Sequence, residues 1–371
     1  TQRTTLTALG FTMKGDMAHV PSWRPDVQGE ADLVEEVARI ASLTKLEGKP
    51  LPRINAGVPR PILTPSQSRQ QAARRTAAAL GYNECVTYSF IDAQAAKLFG
   101  GGDDATMLEN PISSEMSHMR PNLLGGLLRA AARNQARGFM DMGLFEVGAG
   151  FHGGEPGEQH MLVSGVLIGR TGPKDVHGTS RPVDLYDAKA DAEAVLAAIG
   201  APEKVQILRG APDWWHPGRH GKICLGPKKV LAVFGELHPK VLREMDIKGP
   251  AVAFTIWPDE VPLPKNKTTT RPALVATDLQ AVERDFAFVV DADVEALTLV
   301  NAAAGADKAL ITDVRVFDEF IGGSLGEGKK SLAVTVRMQP TDATLKDADI
   351  EAVSSKIVEK VTKATGGVLR G

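Results

Sequence analysis

Four carboxylates stand close together near the start of the chain. Asp26, Asp32, Glu35 and Glu36 lie between Arg24 and Arg39, beside Trp23. An all-oxygen donor set with no Cys or His among its members suits a hard cation, Mg2+ rather than Zn2+. The same acids have a second reading. Carboxylates in the first turns of a helix complement its dipole and cap its free N–H groups. The residues alone leave both readings open.

The surrounding pattern positions these acids. Pro21, Pro25 and Gly29 interrupt any periodicity, so Asp26 is expected in an extended segment or loop. From Glu30 onward Leu33, Val37 and Ile40 recur at i, i+4 and i+7, an apolar helical face. Asp32, Glu35, Glu36 and Arg39 share the opposite face. Asp32 and Glu36 repel one turn apart, which disfavours the helix by ~0.2–0.5 kcal/mol, whereas Glu35 and Arg39 form a favourable i, i+4 pair.

Other chemistry-bearing motifs are weaker. His216 and His220 have metal-ligand spacing, but Pro217 and Gly218 break the helix that would align them, so a structural turn is expected there. Gly100-Gly101-Gly102 lacks the strand and helix of a phosphate-binding loop. A helix over 123–137 buries Leu124, Leu127, Leu128 and Ala131, and carries Arg129, Arg133 and Arg137 as a solvated stripe. Cys85 and Cys224 fit no metal or redox spacing, which favours a reducing cytoplasm.

The 371 residues suffice for two or three domains, and 43% apolar with 24% charged residues is ordinary for a globular protein. A net charge of −2 gives no global attraction to nucleic acid, so RNA contact must come from a local patch. No apolar run is long enough to span a bilayer, so no membrane partner is expected. Thr4–Leu9 reads as the tail of a helix stopped at Gly10, and the chain is expected to begin inside a domain. Pro50, Pro52, Pro59, Pro61 and Pro65 mark a linker, followed by a helix over 66–80 with Ser66 as N-cap and then a strand over 84–90. Strands are expected over 144–148, 161–169 and 230–237, and a helix over 187–199. A second linker, 263–277, contains Lys265 and Lys267.

The final stretch reads as strand 284–290, helix 294–304, strand 311–320, strand 330–338, helix 347–364 and a short strand 368–369. That β-α-β-β-α-β order is the ferredoxin-like arrangement. Its sheet serves RNA recognition and many other tasks.

The residues also carry a resemblance. Arg24-Pro25-Asp26 with Asp32-Leu33-Val34-Glu35-Glu36-Val37-Ala38-Arg39-Ile40 resembles the bacterial phenylalanyl-tRNA synthetase beta chains. So do Asn110-Pro111-Ile112-Ser113-Ser114-Glu115 with Met119-Arg120-Pro121-Asn122, Leu185–Asp191, and Val230–Pro239. In the last stretch Arg284–Val290, Val316-Phe317-Asp318, Gly328–Ala333 and Thr344-Leu345 match that family's anticodon-binding domain.

The resemblance implies an α+β chain in three parts: a truncated Mg2+-binding α/β module (1–52), a class II synthetase-like antiparallel sheet core without catalytic residues (53–262), and, after the linker, a ferredoxin-fold anticodon-binding domain (278–371). The missing GxGxGxxR run agrees with a silent core, since adenylyl transfer needs such donors. The family assigns Mg2+ to the positions of Asp26, Asp32, Glu35 and Glu36, and the anticodon to those of Asp318, Phe320, Ser331 and Arg370. It also implies an alpha chain that binds ATP and phenylalanine, an (αβ)2 heterotetramer, and tRNA(Phe) as partner; the family's editing site lies upstream of these residues. The rival readings are a self-sufficient class II ligase, opposed by the missing Gly-rich Arg strand, and a stand-alone RNA-binding scaffold with a ferredoxin-like tail.

Overall fold

The computed structural model describes every residue except 53–61, 173–175, 177, 179, 264–272, 274, 275 and 371. Pro59, Pro61, Lys265, Lys267 and most of the second linker therefore lie outside the described residues. The chain divides into two compact units, Thr1–Ile62 and Leu63–Gly371.

The first unit opens with α1 (Gln2–Ala8), a hairpin of β1 (Thr12–Lys14) and β2 (Met17–His19), and α2 (Glu30–Ala41). Leu6, Phe11 and Val27 form its small core, with Leu33 and Val37 packed against it. Gly10 has φ +92, and a Cβ there would stand 2.9 Å from the Trp23 ring, so glycine is required on both counts. The helical face differs from the periodic reading: Ile40 is 51% exposed, and Glu36 is buried in its place.

In the second unit α3 (Pro65–Ala79) starts one residue earlier than expected. Thr64, not Ser66, is the N-cap, its Oγ1 accepting from the Gln67 N–H at 3.2 Å while the Gln67 side chain accepts from the Thr64 N–H at 2.9 Å. Pro65 is the first helical residue, where its missing N–H costs nothing. The expected strand over 84–90 is present only at its ends, as β3 (Asn83–Glu84) and β4 (Phe90–Ile91), because the middle turns inward and Thr87 donates to the Glu146 carboxylate at 2.7 Å.

There follow α4 (Ala93–Leu98), β5 (His118–Met119), α5 (Leu124–Gln135), β6 (Met142–Phe151), β7 (Gln159–Ile168), α6 (Leu185–Ala198), β8 (Gln206–Leu208), β9 (Trp215–Leu225), β10 (Lys229–Leu237), α7 (Pro239–Glu244) and β11 (Ala251–Ile256). They build a seven-stranded sheet ordered β3-β6-β7-β11-β10-β9-β8, antiparallel except for β3 beside β6. Alanines of α3 and the apolar side of α6 pack on one face, with Phe145, Phe234 and Phe254. The leucines of α5 and Val241 of α7 pack on the other, with Leu162, Val233 and Ala253. His216–Arg219 is not a turn beneath the sheet but a bulge within β9, opposite Glu236 of β10.

The remaining elements are β12 (Val282–Asp291), α8 (Ala296–Ala304), β13 (Ile311–Phe320), β14 (Lys329–Met338), α9 (Asp347–Thr365) and β15 (Val368–Leu369). Their antiparallel sheet runs β13-β14-β12-β15. Phe286, Phe288, Val290, Leu332, Val334 and Val336 point from it into a core closed by Leu299 of α8 and Ile350, Val353, Ile357 and Val361 of α9. Strand side chains alternate, so one face is sealed by helices and the other stays open.

Candidate functional site

Two places answer to the sequence expectations. In the first unit, the Arg24 guanidinium donates to both Asp26 oxygens at 2.6–3.1 Å and to Glu36 Oε1 at 2.9 Å. Arg39 donates to the other Glu36 oxygen at 2.6 Å, so its partner is Glu36 and not the expected Glu35. Asp32 Oδ2 accepts the backbone N–H groups of Gln28 and Gly29 at 2.8 Å each, closing the N-terminus of α2. Glu35 is exposed and takes no part.

The electrostatics follow from these bonds. Arg24, then Arg39, holds the Glu36 carboxyl at about 2, below its ordinary 4.5. Arg24 likewise lowers Asp26, and the two backbone donors lower Asp32. Each of Asp26, Asp32 and Glu36 is ionised and already accepts at least two hydrogen bonds from Arg24, Arg39 or backbone N–H groups. Among the described residues no three Asp, Glu, His or Cys side chains are disposed to hold a metal. In this arrangement the donor set does not fit Mg2+. Sequence reasoning missed Arg24 as the cation of the cluster; the Arg-Pro-Asp spacing was its one signal.

The second place is the open face of the C-terminal sheet. Phe320 of β13 pairs with Ser331 of β14, and Ser331 with Val289 of β12, which pairs with Val368 of β15. In the neighbouring row Asp318 pairs with Ala333 and Ala333 with Ala287, whose carbonyl accepts the Arg370 N–H at 2.7 Å. Asp318, Phe320, Ser331 and Arg370 thus lie in two adjacent rows of one face. Ala287, Ala333 and Ser331 make a floor of small side chains. Phe320 is 43% exposed at one side, and the Arg370 guanidinium carbon sits 5.8 Å from its ring centroid. That is within reach of a cation–π contact. Ser331 is only 4% exposed.

The core carries a third polar constellation, sealed from solvent. Arg120 donates to Glu146 at 2.8 Å, to Thr87 Oγ1 at 2.9 Å and to the Ala149 carbonyl at 2.9 Å. Arg120 and Glu146 are 3% and 4% exposed. Breaking a buried pair from one side costs ~3–5 kcal/mol, so this one pins β6 to the 84–91 segment. In the Arg stripe, Arg129 is paired with Asp92. His220 Nδ1 contacts the His216 carbonyl at 2.6 Å.

Comparison with known proteins finds family matches along the chain. Residues 1–42 match the tRNA synthetase B5 domain, 51–257 the phenylalanyl tRNA synthetase beta chain CLM domain, and 277–370 the ferredoxin-fold anticodon binding domain. The phenylalanine–tRNA ligase beta subunit of Ruegeria pomeroyi is 78% identical over 370 residues, covering 100% of this chain and 46% of that protein. Those of Cereibacter sphaeroides and Rhodospirillum rubrum are 73% and 50% identical, covering 100% and 98% of this chain and 46% of each relative. Among solved structures, a pyrrolysyl-tRNA synthetase from Desulfitobacterium hafniense aligns over 70% of this chain and 87% of its own, at 14% identity and a TM-score of 0.41. No helix among the described residues is long and apolar enough to cross a membrane. The chain spans about half the length of the curated relatives it matches. With a family model matched over more than half its residues, the chain belongs to the phenylalanine–tRNA ligase beta-subunit family.

Proposed function

We propose that this chain supports the attachment of phenylalanine to tRNA(Phe) without performing the chemistry. An alpha chain binds ATP and phenylalanine, and this chain supplies assembly surface and anticodon recognition within an (αβ)2 heterotetramer in the cytoplasm. Its parts are a small N-terminal module over 1–52, a silent class II synthetase-like core over 53–262, a linker over 263–277 and the anticodon-binding domain over 278–371.

The observation that carries this reading is the pair of rows on the open sheet face. A base laid on the Ala287–Ala333 floor would have Phe320 to stack on, Asp318 to accept from its edge, and Arg370 to meet its plane or a phosphate. Ser331 would join only after Phe320 or Arg370 shifts, because it is almost fully buried. The core reading rests on Arg120, whose guanidinium is buried and engaged by Glu146, Thr87 and the Ala149 carbonyl instead of being presented to a phosphate.

The Mg2+ assigned to Asp26, Asp32, Glu35 and Glu36 is carried by the resemblance alone. Its binding here is an exchange reaction, in which Arg24 must first leave Asp26 and Glu36.

Co-expression with a synthetase alpha chain tests the whole. The two are expected to co-elute and to retain tRNA(Phe) over the same tRNA with a changed anticodon. Failure to co-elute, with RNA binding indifferent to the anticodon, would favour the stand-alone scaffold. Phenylalanine-dependent pyrophosphate exchange by this chain alone would overturn the silent core.

A further inference from the structure

The open face of the C-terminal sheet ends in a glycine that its own backbone does not require. Gly322 follows β13 with φ −167 and ψ 160, extended angles that any residue adopts. The turn that begins there uses only the Gly322 carbonyl, which accepts the Leu325 N–H at 3.1 Å. A side chain is excluded for another reason. A Cβ on Gly322 would stand 2.6 Å from Cζ of Phe320 and 2.9 Å from its Cε1, closer than carbons pack. The third-nearest atom, at 3.4 Å, belongs to the same ring. Gly323, the next residue, has nothing within 4 Å of its Cβ position. The crowding is thus confined to 322, and Phe320 is its source.

The same contact fixes how the ring lies. Extended residues i and i+2 face the same way and stand ~6.7 Å apart along the chain. A ring rising straight from the sheet at Phe320 would keep its tip well away from 322. With its tip at Gly322, the ring leans along the chain and lies low over the glycine. The Arg370 guanidinium stands over its plane, 5.8 Å from the centroid. Two features therefore set the orientation of the ring, the bare backbone under its tip and the cation above it.

We propose that Gly322 is a positioning residue for base recognition, its bare backbone letting the Phe320 ring lie down as a flat stacking surface before RNA arrives. This role rests on the anticodon reading of the same face. A side chain already in place loses less freedom when a ligand binds. A methyl group at 322 lifts the ring tip, because the end of a side chain yields more readily than backbone. The lifted ring tilts its plane away from a base laid on the Ala287–Ala333 floor.

Kinetics of this chain co-expressed with a synthetase alpha chain test it, with Gly322→Ala, Gly323→Ala, Phe320→Ala and the double variant Gly322→Ala/Phe320→Ala. Gly322→Ala is expected to raise the KM for tRNA(Phe) in aminoacylation about 3- to 30-fold, part of what loss of an aromatic stack costs. Both kcat and phenylalanine-dependent pyrophosphate exchange, which needs no tRNA, are expected to stay unchanged. Gly323→Ala puts its methyl in open space and is expected to change KM by less than about twofold. In the double variant the ring is gone, so the methyl at 322 should add less than about twofold to the effect of Phe320→Ala. Gly322→Ala equal to wild type, with Phe320→Ala impaired, would overturn the positioning role and leave the anticodon reading standing. Losses that multiply in the double variant would do the same, since the methyl would then act without the ring. If Phe320→Ala itself leaves KM unchanged, the anticodon reading fails and the role of Gly322 falls with it. Should Gly322→Ala fail to fold by circular dichroism, the double variant decides: recovered folding supports the ring as the obstacle, and continued failure overturns it.

Discussion

The acidic module and the open C-terminal sheet face were legible as candidate sites to different depths, and the structure treats them oppositely. Of the four acids singled out in the module all but Glu35 are engaged from within: Arg24 bridges Asp26 and Glu36, Arg39 closes the other side of Glu36, and two backbone amides bond Asp32 Oδ2. On the sheet face Asp318 is exposed, its carboxylate makes no side-chain hydrogen bond or ion pair among the described residues, and Phe320 keeps much of its ring uncovered. A cluster of charges in sequence reports where charges are, not whether they are free. A ligand must compete with partners already present in the module, whereas on the sheet it must displace only Arg370 and water.

The largest expected effect tests the sheet half of that contrast. Phe320→Ala removes the stacking surface, and base–aromatic stacking is worth ~1–3 kcal/mol. Affinity for tRNA(Phe) should fall about 5- to 150-fold in filter binding, with Asp318→Ala instead eroding discrimination against a changed anticodon base. The corresponding truncation in the module, Glu35→Ala, should leave tRNA affinity unchanged. If Phe320→Ala also leaves it unchanged, the two regions are alike in being idle and the anticodon reading of this face fails.

Why one region was readable and the other was not is a matter of periodicity. Strand side chains alternate with period 2, so once Phe286, Phe288 and Val290 are assigned inward, Ala287 and Val289 must face outward, and pairing carries this across to Ser331, Ala333, Asp318 and Phe320. Observed strands such as Val282–Asp291 extend the alternating run over 284–290 by a residue or two at each end. In the module the helix was readable, but its faces were not. The i, i+4, i+7 rule placed Ile40 inside and Glu36 outside, and the reverse holds because Arg24, from a loop twelve residues upstream, draws Glu36 inward. Loop-to-helix pairing has no period to read. The same blindness hid the Arg120–Glu146 pair, whose partners lie 26 residues apart, and it turned a continuous strand over 84–90 into two short pieces around Thr87.

A middle-sized effect tests the module. Glu36 has a folded pKa of about 2 against an ordinary 4.5. Its contribution to stability is therefore complete above about 4.5 and is lost as the pH falls through about 2. Hydrogen exchange across α2, corrected for its intrinsic pH dependence, should accelerate over that window in the wild type, and Glu36→Gln should flatten the step. Arg24→Ala sharpens the comparison further. In the wild type, millimolar Mg2+ should leave α2 exchange unchanged; in the variant, the freed acids should acquire a Mg2+-dependent slowing. A slowing of equal size in the wild type would mean that Arg24 does not guard the cluster, and that the two regions differ less than their hydrogen bonds suggest.

The smallest effect concerns how the sheet face meets RNA. Its outward rows carry Glu283, Asp285, Asp313 and Asp318 against Arg315, Arg337 and Arg370, so the surface offers no net positive charge to a phosphate backbone. Asp285 also accepts from Thr335 at 2.7 Å. Affinity won by neutralising phosphates falls with salt, with a logarithmic slope of about −0.7 per phosphate on a single strand. Arg370, 5.8 Å from the Phe320 ring, is placed to close over a base plane instead. Arg370→Ala should then weaken tRNA(Phe) binding at every salt concentration while changing the slope by less than about 0.7. A slope change of that size or more would make Arg370 a phosphate ligand, and the face would be reading position along the backbone where Phe320 and Asp318 argue that it reads bases.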